Sequence, residues 1–384
     1  MQGSGVLFGA AGGQPWLGVR LKPITVIGAG IAGLAVALAL ARAGHPVRVL
    51  EQASGLSEVG AGLQISPNGA AVLRALGLGD ALERIAQPTE AVELRRAHSG
   101  GLVLRMDMGP GFWLVQRADL IESLQRAVRA AGVEIVFGQR IEAALPPGVV
   151  LGADGLHSTL RSRLNGTEQP FFTGQVAWRA VVPSDGGTAV AQVFMGPGRH
   201  LVSYPLRNGT LRNIVAVEER AEWVAEGWSG PSWSGPGDIA ALRLAFSDFG
   251  GPVQQWLDQI GEVNLWGLFR HQVAPVWAAE GIAILGDAAH PMLPFLAQGA
   301  NMALEDAWVL ARCLSEGRLA AYQPLREARV RRVVAAANAN ARAYHLRGPL
   351  AWAAHLGLQA VGAVAPGLML QRYDWVYGED VTGL

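Results

Sequence analysis

Three glycines near the start of the chain have the spacing of a phosphate-binding turn. Gly28, Gly30 and Gly33 follow the β-branched run 24–27 and precede the helix-forming run 34–43. In such a turn the first glycine permits a tight bend, and the second lets a pyrophosphate approach backbone N–H groups at a helix N-terminus. The third allows the helix to pack closely on the strand. Because the chain contains 50 glycines in 384 residues, this spacing gains weight only from its context.

An acidic residue follows the glycine turn at a distance suited to ribose binding. Glu51 ends a second strand-like run, 47–51, and lies 18 residues after Gly33. A carboxylate at this place accepts hydrogen bonds from ribose hydroxyls and disfavours a ribose that carries a 2′-phosphate. Residues 24–51 therefore predict a strand, helix and strand that bind a dinucleotide, and they leave NAD and FAD as alternatives.

Two aspartates farther along the chain separate these alternatives. Asp154 follows the apolar run 149–153, and Asp287 follows the apolar run 282–285 and precedes a long helical segment. With the glycine turn, these segments resemble, in order, the three fingerprints of the single-component flavoprotein aromatic hydroxylases, the family of p-hydroxybenzoate and salicylate hydroxylases. The resemblance spans most of the chain. Within this family, the sequence is similar in particular to salicylate, 3-hydroxybenzoate and 6-hydroxynicotinate hydroxylases.

The resemblance implies a set of FAD-binding residues. Asp287 would bind the ribityl hydroxyls, as suits an acceptor-only carboxylate that faces a polyol. Arg117 would open a helix and contact the sugar–phosphate region, and Asp154 would serve the flavin site. Backbone N–H groups of 298–301 would meet the pyrimidine side of the flavin, where a helix N-terminus stabilises negative charge. The implied cofactor residues are Gly28, Gly30, Ile31, Ala32, Gly33, Glu51, Gly62, Arg117, Asp154, Asp287, Gln298, Gly299, Ala300 and Asn301.

The resemblance also implies the reaction. A member of this family is an FAD-dependent monooxygenase that hydroxylates a small aromatic or heteroaromatic ring with O2 and NADH or NADPH, through a flavin hydroperoxide. Two alternatives remain open. One is hydroxylation of a prenylated phenol at a membrane surface, as in quinone biosynthesis. The other is a flavin dehydrogenase or FAD-binding protein without oxygenase activity.

A general base near the substrate would help, because a phenol reacts better as its phenolate. His200 is the candidate, since it lies on a predicted strand of the sheet that forms the substrate cavity in this family. Tyr204 lies four residues farther on and so faces the same side of that strand. A histidine that is merely hydrogen-bonded on an exposed strand is the alternative for His200. Pro294 is expected to shape the wall that faces the substrate, and the other pocket candidates are Gln64, Trp178, Met292 and Phe295.

Composition and charge narrow the partners and the compartment. The formal net charge is +0 and no run of Lys or Arg occurs, so nucleic-acid binding is not expected. No spacing of His and carboxylates predicts a metal site, and His290 is expected to shape the turn after Asp287. The single cysteine, Cys313, fits a cytoplasmic enzyme. Membrane contact is not expected, and the protein is expected to be a monomer or a homodimer.

The order of strand-like and helix-like runs predicts an α/β fold with a Rossmann-like FAD-binding domain, an inserted antiparallel-sheet substrate domain and C-terminal helices. We expect a disordered extension at 1–20, the FAD-binding domain at 21–170 and 271–347, the substrate domain at 171–270 and a helical segment at 348–384. In the inserted part, strands are expected at 175–182, 191–195, 201–205, 213–217 and 263–270, and helices at 219–226 and 238–259. The few charges of 350–370 favour packing of that segment in the core.

Overall fold

The computed structural model describes residues 23–55, 62–141, 144–223, 234–365 and 367–384. The extension expected at 1–20 lies outside these ranges. The strands are β1 (Ile24–Ile27), β2 (Val47–Leu50), β3 (Gly62–Ile65), β4 (Ala86–Pro88), β5 (Ala91–Arg96), β6 (Leu102–Asp107), β7 (Trp113–Gln116), β8 (Glu134–Val136), β9 (Val149–Gly152), β10 (Phe171–Pro183), β11 (Val190–Gly196), β12 (Arg199–Leu206), β13 (Leu211–Glu219), β14 (Ser234–Pro236), β15 (Asn264–Arg270), β16 (Ala278–Ala279) and β17 (Ile282–Ile284).

The helices include the predicted ones after the glycine turn, at Arg117, after Asp287 and in the C-terminal segment. They are α1 (Ile31–Arg42), α2 (Pro67–Ala75), α3 (Gly79–Ile85), α4 (Arg117–Ala130), α5 (Thr159–Asn165), α6 (Ile239–Ala245), α7 (Val253–Asp258), α8 (Gly299–Ser315), α9 (Tyr322–Tyr344), α10 (Gly348–Val364), α11 (Leu368–Gln371) and α12 (Asp374–Tyr377).

The first sheet is the Rossmann-like sheet that the N-terminal pattern predicts. Its order is β16-β17-β9-β1-β2-β8, and all its pairs are parallel except that of β16 with β17. The central strand β1 is buried along its whole length, and α1 packs against both α4 and α8. Parallel strands buried on both faces need such apolar runs, which is why 24–27 contains β-branched residues. The carboxyl ends of β1, β2, β9 and β17 therefore lie along one edge of the sheet.

The second sheet contains the five predicted antiparallel strands and three further ones, β5, β6 and β14. Its order is β14-β15-β10-β13-β12-β11-β5-β6, with β5 and β11 parallel and the other pairs antiparallel. The expected boundary of the substrate domain at 171 is therefore wrong for β5 and β6, which precede it in the chain. Sequence order did not reveal that β5 and β6 belong to this sheet, because β5 pairs with β11, which lies far along the sequence.

The inserted sheet carries its own helical layer on one face. Residues 238–259 form α6 and α7, which cover a core of aromatic and aliphatic side chains on that face. The helix expected at 219–226 is wrong in its described part. Glu219 ends β13 and pairs with Gln175 of β10, and residues 220–223 are not helical. The opposite face of the sheet turns towards α9 and the residues that follow β17.

The C-terminal helix α10 is less buried than its composition suggested. None of its residues is fully buried, and Leu350 and Trp352 are 71% and 68% exposed. The expectation that this segment packs in the core is therefore wrong for that face. Its inner face contacts β6, and Leu358 packs against an apolar cluster that includes Val103 and Leu104 of that strand. Among the described residues, no helix combines the length and the apolar character that crossing a membrane requires.

Candidate active site

Four predicted cofactor segments meet at one edge of the Rossmann-like sheet. Gly28 follows β1, Glu51 follows β2, Asp154 lies two residues after the end of β9, and Asp287 lies three residues after the end of β17. Because neighbouring parallel strands end side by side, these segments are brought together by the sheet itself. In open α/β sheets this edge is where nucleotide ligands bind.

The glycine turn has the shape that a pyrophosphate requires. Gly28 has a φ of 102°, and a Cβ there would overlap the carbonyl oxygen of Ala153 on the neighbouring strand. A Cβ on Gly33 would overlap the carbonyl oxygen of Gly28. A Cβ on Gly30, in contrast, would meet no atom within 4 Å. The first and third glycines thus serve packing, and Gly30 keeps open space at the N-terminus of α1, which fits a bound FAD pyrophosphate.

Glu51 supports the turn through hydrogen bonds to the backbone, and its contact with a ribose stays a prediction. Its Oε2 accepts a hydrogen bond of 2.7 Å from the backbone N–H of Ala29, and its Oε1 accepts one of 2.8 Å from Ala53. A carboxylate has about four acceptor positions, so two remain for ribose hydroxyls.

A cavity of ≈ 310 Å³ extends from the glycine turn to the inserted sheet. Asp287 is exposed to this cavity although protein surrounds it on the other sides. Burial raises the pKa of Asp287, and the charges of His290 and Arg117 oppose that rise. The cofactor residues whose atoms line this cavity are Gly30, Ile31, Ala32, Gly62, Arg117, Asp287, Gly299 and Ala300. The lining offers a carboxylate for a polyol and a guanidinium for a phosphate, as FAD requires.

Asp306 stabilises the turn that carries Asp287, through contacts with the residues on either side of Asp287. Its Oδ2 accepts hydrogen bonds from the backbone N–H of Gly286 at 3.1 Å and lies 2.5 Å from Nε2 of His290. Its Oδ1 accepts a hydrogen bond of 2.9 Å from Arg326. Burial alone would raise the pKa of Asp306, but His290 and Arg326 outweigh it and lower the pKa to about 2. His290 is buried in this contact, which supports the structural role predicted for it.

Asp154 acts through the turn that it forms and does not line the cavity. Its Oδ2 accepts hydrogen bonds from the N–H and the hydroxyl of Thr159, at the start of α5. The adjacent Ala153 and Gly155 line the cavity instead. Arg161 of the same segment donates to the carbonyl oxygens of Ala288 and Ala289, and so ties this turn to the one that bears Asp287. The flavin role of Asp154 stays a prediction.

The N-terminus of α8 presents backbone to the cavity. Gly299 and Ala300 line the cavity, whereas Gln298 and Asn301 use their side chains elsewhere. Asn301 accepts a hydrogen bond from the N–H of Ser66 and donates one to the carbonyl of Gln64. Gln298 donates to the hydroxyl of Ser66. These two side chains fix β3 beside α8. Contact of the backbone of Gln298 and Asn301 with the flavin stays a prediction.

The inserted sheet supplies the other side of the cavity. His200, Val202 and Tyr204 alternate along β12 and all line it, as the period-two argument predicts. The rings of His200 and Phe295 meet edge to face, with centroids 5.0 Å apart. Tyr204 packs so closely against β3 that a Cβ on Gly62 would overlap its ring. Burial raises the pKa of Tyr204, so its hydroxyl stays protonated and can donate a hydrogen bond.

Trp178 is wrongly predicted as a pocket residue. It is buried in the core under α6 and α7, and its Nε1 donates a hydrogen bond of 3.1 Å to Glu218. The neighbouring Arg179 faces the cavity instead. Because successive strand residues point to opposite faces, an error of one position in the assumed phase exchanges the core residue for the cavity residue.

A second cavity of ≈ 560 Å³ adjoins the first. The two share Gln64, Val202, Pro294, Phe295 and Ala297, whereas the predicted pocket residue Met292 lines only the first. The second cavity lies between the sheet, α9 and α10, and its apolar lining includes Met106, Met108, Met195, Leu358 and Met369. Pro294 and Phe295 therefore stand at the junction of a nucleotide-binding cavity and an apolar one.

Several cavity residues were missed at the sequence level. Val215 and Val217 of β13, Leu285 and Arg179 line the first cavity, and His345 contacts His200 from behind. The alternation along β10 and β13 could have identified the strand residues, and no local signal marks His345. Within the described ranges, no group of three or more His, Cys, Asp or Glu side chains is arranged to hold a metal ion.

Comparison with known proteins agrees with this geometry. The family described as FAD binding domain matches residues 22–148 and 145–337. A 3-amino-4-hydroxybenzoate 2-monooxygenase of Streptomyces platensis is 37% identical, over 94% of this chain and 96% of that protein. A 3-hydroxybenzoate 6-hydroxylase of Aquipseudomonas alcaligenes is 30% identical, over 94% and 98% of the two chains.

Solved structures show the same fold. A salicylate hydroxylase substrate complex superposes with a TM-score of 0.78 at 25% sequence identity, and the match covers 95% of this chain and 97% of that one. These relatives are named as monooxygenases of small aromatic acids, which supports that interpretation over a prenylated-phenol hydroxylase or a flavoprotein without oxygenase activity. With the FAD-shaped site at the edge of the Rossmann-like sheet, they show that this chain belongs to the FAD-dependent aromatic monooxygenase family.

Proposed function

We propose that the protein hydroxylates the ring of a hydroxylated aromatic acid, with O2 and NADH or NADPH as co-substrates. FAD, when bound, takes up hydride from the reduced nicotinamide and activates O2. The protein's own part is to bind the ring at the junction of the two cavities, to exclude water and to remove the phenolic proton.

The observation that carries this proposal is the unused nitrogen of His200. The ring is buried and lines the cavity, and its Nε2 makes no hydrogen bond to any described residue. Burial lowers the pKa of His200, and the nearby His345 lowers it further. His200 is therefore a neutral base at pH 7. A buried polar atom without a partner, on a ring that lines a cavity, calls for a ligand group, and a phenol hydroxyl suits it.

The rest of the lining fits a flat acidic ring. Phe295, Pro294 and Val202 supply apolar contacts, as ligand cavities commonly do. Arg179 brings a positive charge to the same cavity, which favours a carboxylate over a neutral substituent. The relatives named above act on amino- and hydroxybenzoates. Together with the charge of Arg179, they favour a benzoate.

A cytoplasmic location completes the proposal. Cys313 is a buried free thiol, and burial raises its pKa, so it is protected from oxidation rather than used. We further propose a monomer or a homodimer as the working form.

Oxygen consumption tests the function directly. Purified FAD-loaded protein is mixed with NADH or NADPH and with a panel of aminohydroxybenzoates, hydroxybenzoates, phenols and hydroxypyridines. We expect a hydroxybenzoate to accelerate NAD(P)H oxidation and to yield a product that carries one atom from ¹⁸O2. The proposal fails if every panel compound gives only hydrogen peroxide or no oxidation.

A further inference from the structure

A chain of hydrogen bonds leads from His200 to the protein surface. His200 Nδ1 lies 2.7 Å from His345 Nε2, which directly follows α9. His345 Nδ1 lies 3.0 Å from Oε1 of Glu219, the last residue of β13. Oε2 of Glu219 accepts a hydrogen bond of 2.5 Å from Arg347. Two neighbouring strands, β12 and β13, and the end of α9, which is distant in sequence, thus meet to line up these groups.

The charge at the outer end fixes which nitrogen of each ring carries a proton. Partial burial alone would raise the pKa of Glu219, but hydrogen bonds from His345 and Arg347 outweigh it and lower the pKa. Ionised Glu219 only accepts hydrogen bonds, so His345 donates from Nδ1 and its Nε2 becomes an acceptor. His200 must then donate from Nδ1. Nε2 of His200, on the ring that lines the cavity, is thereby left unprotonated, which is the form that a base requires.

The solvent exposure of these groups increases along the series of hydrogen bonds, from His200 outwards. The side chains of His200 and His345 are 1% and 2% exposed, whereas that of Glu219 is 41% exposed. The inner end faces the substrate cavity and the outer end faces solvent. A proton can therefore leave the buried site without water entering it.

The buried rings do not hold an extra proton themselves. Burial lowers the pKa of His345, and Glu219 only partly restores it. Besides His345, the aromatic rings of Phe295 and Tyr344 contact His200. Burial raises the pKa of Tyr344, so it stays neutral. Glu219 and Arg347 are the charged groups that face His345. A lasting positive charge on either ring is disfavoured, and Glu219 is the group able to neutralise it.

We propose that His345 and Glu219 form a proton relay that carries the substrate's phenolic proton from His200 to solvent. The relay rests on the proposed function. The phenol O–H bond breaks and its proton binds His200 Nε2, while the Nδ1 proton of His200 moves to His345 Nε2. The Nδ1 proton of His345 then moves to Glu219, which releases it to water. The phenolate of the product takes a proton back by the reverse path before it leaves, which restores both tautomers.

Histidine tautomers give a test that does not depend on turnover. ¹⁵N NMR of histidine-labelled, FAD-loaded protein distinguishes protonated from unprotonated ring nitrogens, and a His200→Asn variant assigns the His200 signals. We expect an unprotonated Nε2 on His200 and a protonated Nδ1 on His345. Glu219→Gln should mix these tautomers, because an amide can donate as well as accept. The control Glu218→Gln removes the neighbouring charge, which bonds Trp178 and Arg220 on the other face, and should leave the tautomers unchanged.

Kinetics with 3-amino-4-hydroxybenzoate as the probe supplies the second arm. Glu219→Gln and His345→Phe should lower kcat at pH 7 about 10-fold or more, with KM and FAD content close to wild type. The rate should recover as pH rises and the phenol ionises without help, and Glu218→Gln should follow the wild-type profile.

The relay is wrong if His200 Nε2 carries the proton in the wild type, or if Glu219→Gln keeps both the wild-type tautomers and the wild-type pH profile. If the tautomers are as expected but no panel compound is hydroxylated, the proposed function is wrong instead. The two failures can therefore be told apart.

Discussion

Nε2 of His290 lies 2.5 Å from Oδ2 of Asp306, behind the turn that presents Asp287 to the cofactor cavity. The same oxygen accepts the backbone N–H of Gly286, so one buried carboxylate fixes both ends of that turn. Arg326 provides the compensating charge that a buried carboxylate needs. The position of Asp287 thus depends on a cluster that does not touch the cavity.

Asp306→Asn should destabilise the protein by about 3–5 kcal/mol at pH 7, because it leaves the buried Arg326 with less compensation. The native pKa of Asp306 is about 2, lowered from 3.8, so its contribution is complete above pH 4 and is lost as pH falls towards 2. The variant should therefore lose less stability than the wild type between pH 5 and pH 3. Urea unfolding at several pH values measures this, and parallel curves for the two proteins would contradict it. Asp238→Asn, which removes a carboxylate that caps α6 at the surface, serves as the control.

Asp287→Ala should weaken FAD binding about 10- to 100-fold, the worth of hydrogen bonds to a charged acceptor. The fold should persist, because the side chain faces the cavity rather than the core. Flavin fluorescence titration of the apoprotein gives the Kd, and thermal unfolding of the apoprotein gives the stability. A wild-type Kd in this variant would remove Asp287 from the ribityl site.

Two glycines of the first turn should respond in opposite ways to added side chains. Gly30→Val places methyl groups in the open space at the N-terminus of α1, so FAD affinity should fall at least 10-fold with little change in apoprotein stability. Gly33→Ala pushes a methyl group against the carbonyl oxygen of Gly28, so apoprotein stability should fall by about 1–3 kcal/mol. The same titration and unfolding experiments compare them. Equal losses of stability would contradict the division of roles.

The cofactor side of the site could be predicted from local sequence because the sheet itself positions it. Gly28, Glu51 and Asp287 each come shortly after an apolar run that forms a parallel strand. Strands of this kind end side by side, so the residues that follow them converge without any knowledge of the intervening chain. Asp154 follows the same rule for its place, but its side chain accepts a hydrogen bond from Thr159, the first residue of α5, which the strand pattern cannot show.

The substrate side depends on contacts that no local pattern encodes. Trp178 was misassigned because alternation defines two faces of a strand without saying which one is covered by α6 and α7. His345 reaches His200 across 145 positions in the chain. Strands β5 and β6 join the inserted sheet although they lie between elements of the FAD-binding part in sequence.

Trp178→Ala tests the corrected position of that residue. Removal of a fully buried tryptophan should lower the free energy of unfolding by about 3–5 kcal/mol. KM for the aromatic substrate should stay unchanged, because the side chain lies on the face opposite the cavity. Val202→Ala, on the cavity face of β12, should instead change KM with a smaller loss of stability. A raised KM in Trp178→Ala with unchanged stability would show that Trp178 lines the pocket after all.

His200→Ala should retain FAD, since the ring contacts Phe295 and His345 rather than the glycine turn. Hydroxylation should fall about 10²- to 10⁴-fold, the usual contribution of a general base. The pH profile separates this role from simple packing. A base acts when deprotonated, and burial lowers the pKa of His200 below 6.5. Wild-type kcat should therefore stay level near pH 7 and decline only below pH 6.5, as the ring takes up a proton.

The variant should lack that acidic decline and should gain rate with rising pH, because only phenol that ionises unaided can then react. Stopped-flow measurement of product formation in single turnovers, from pH 5.5 to pH 9, follows both limbs without interference from product release. If His200→Ala kept the acidic decline of the wild type, another group would have to be the base. His200 would then be a cavity-wall histidine, held in place by His345 without a part in proton transfer.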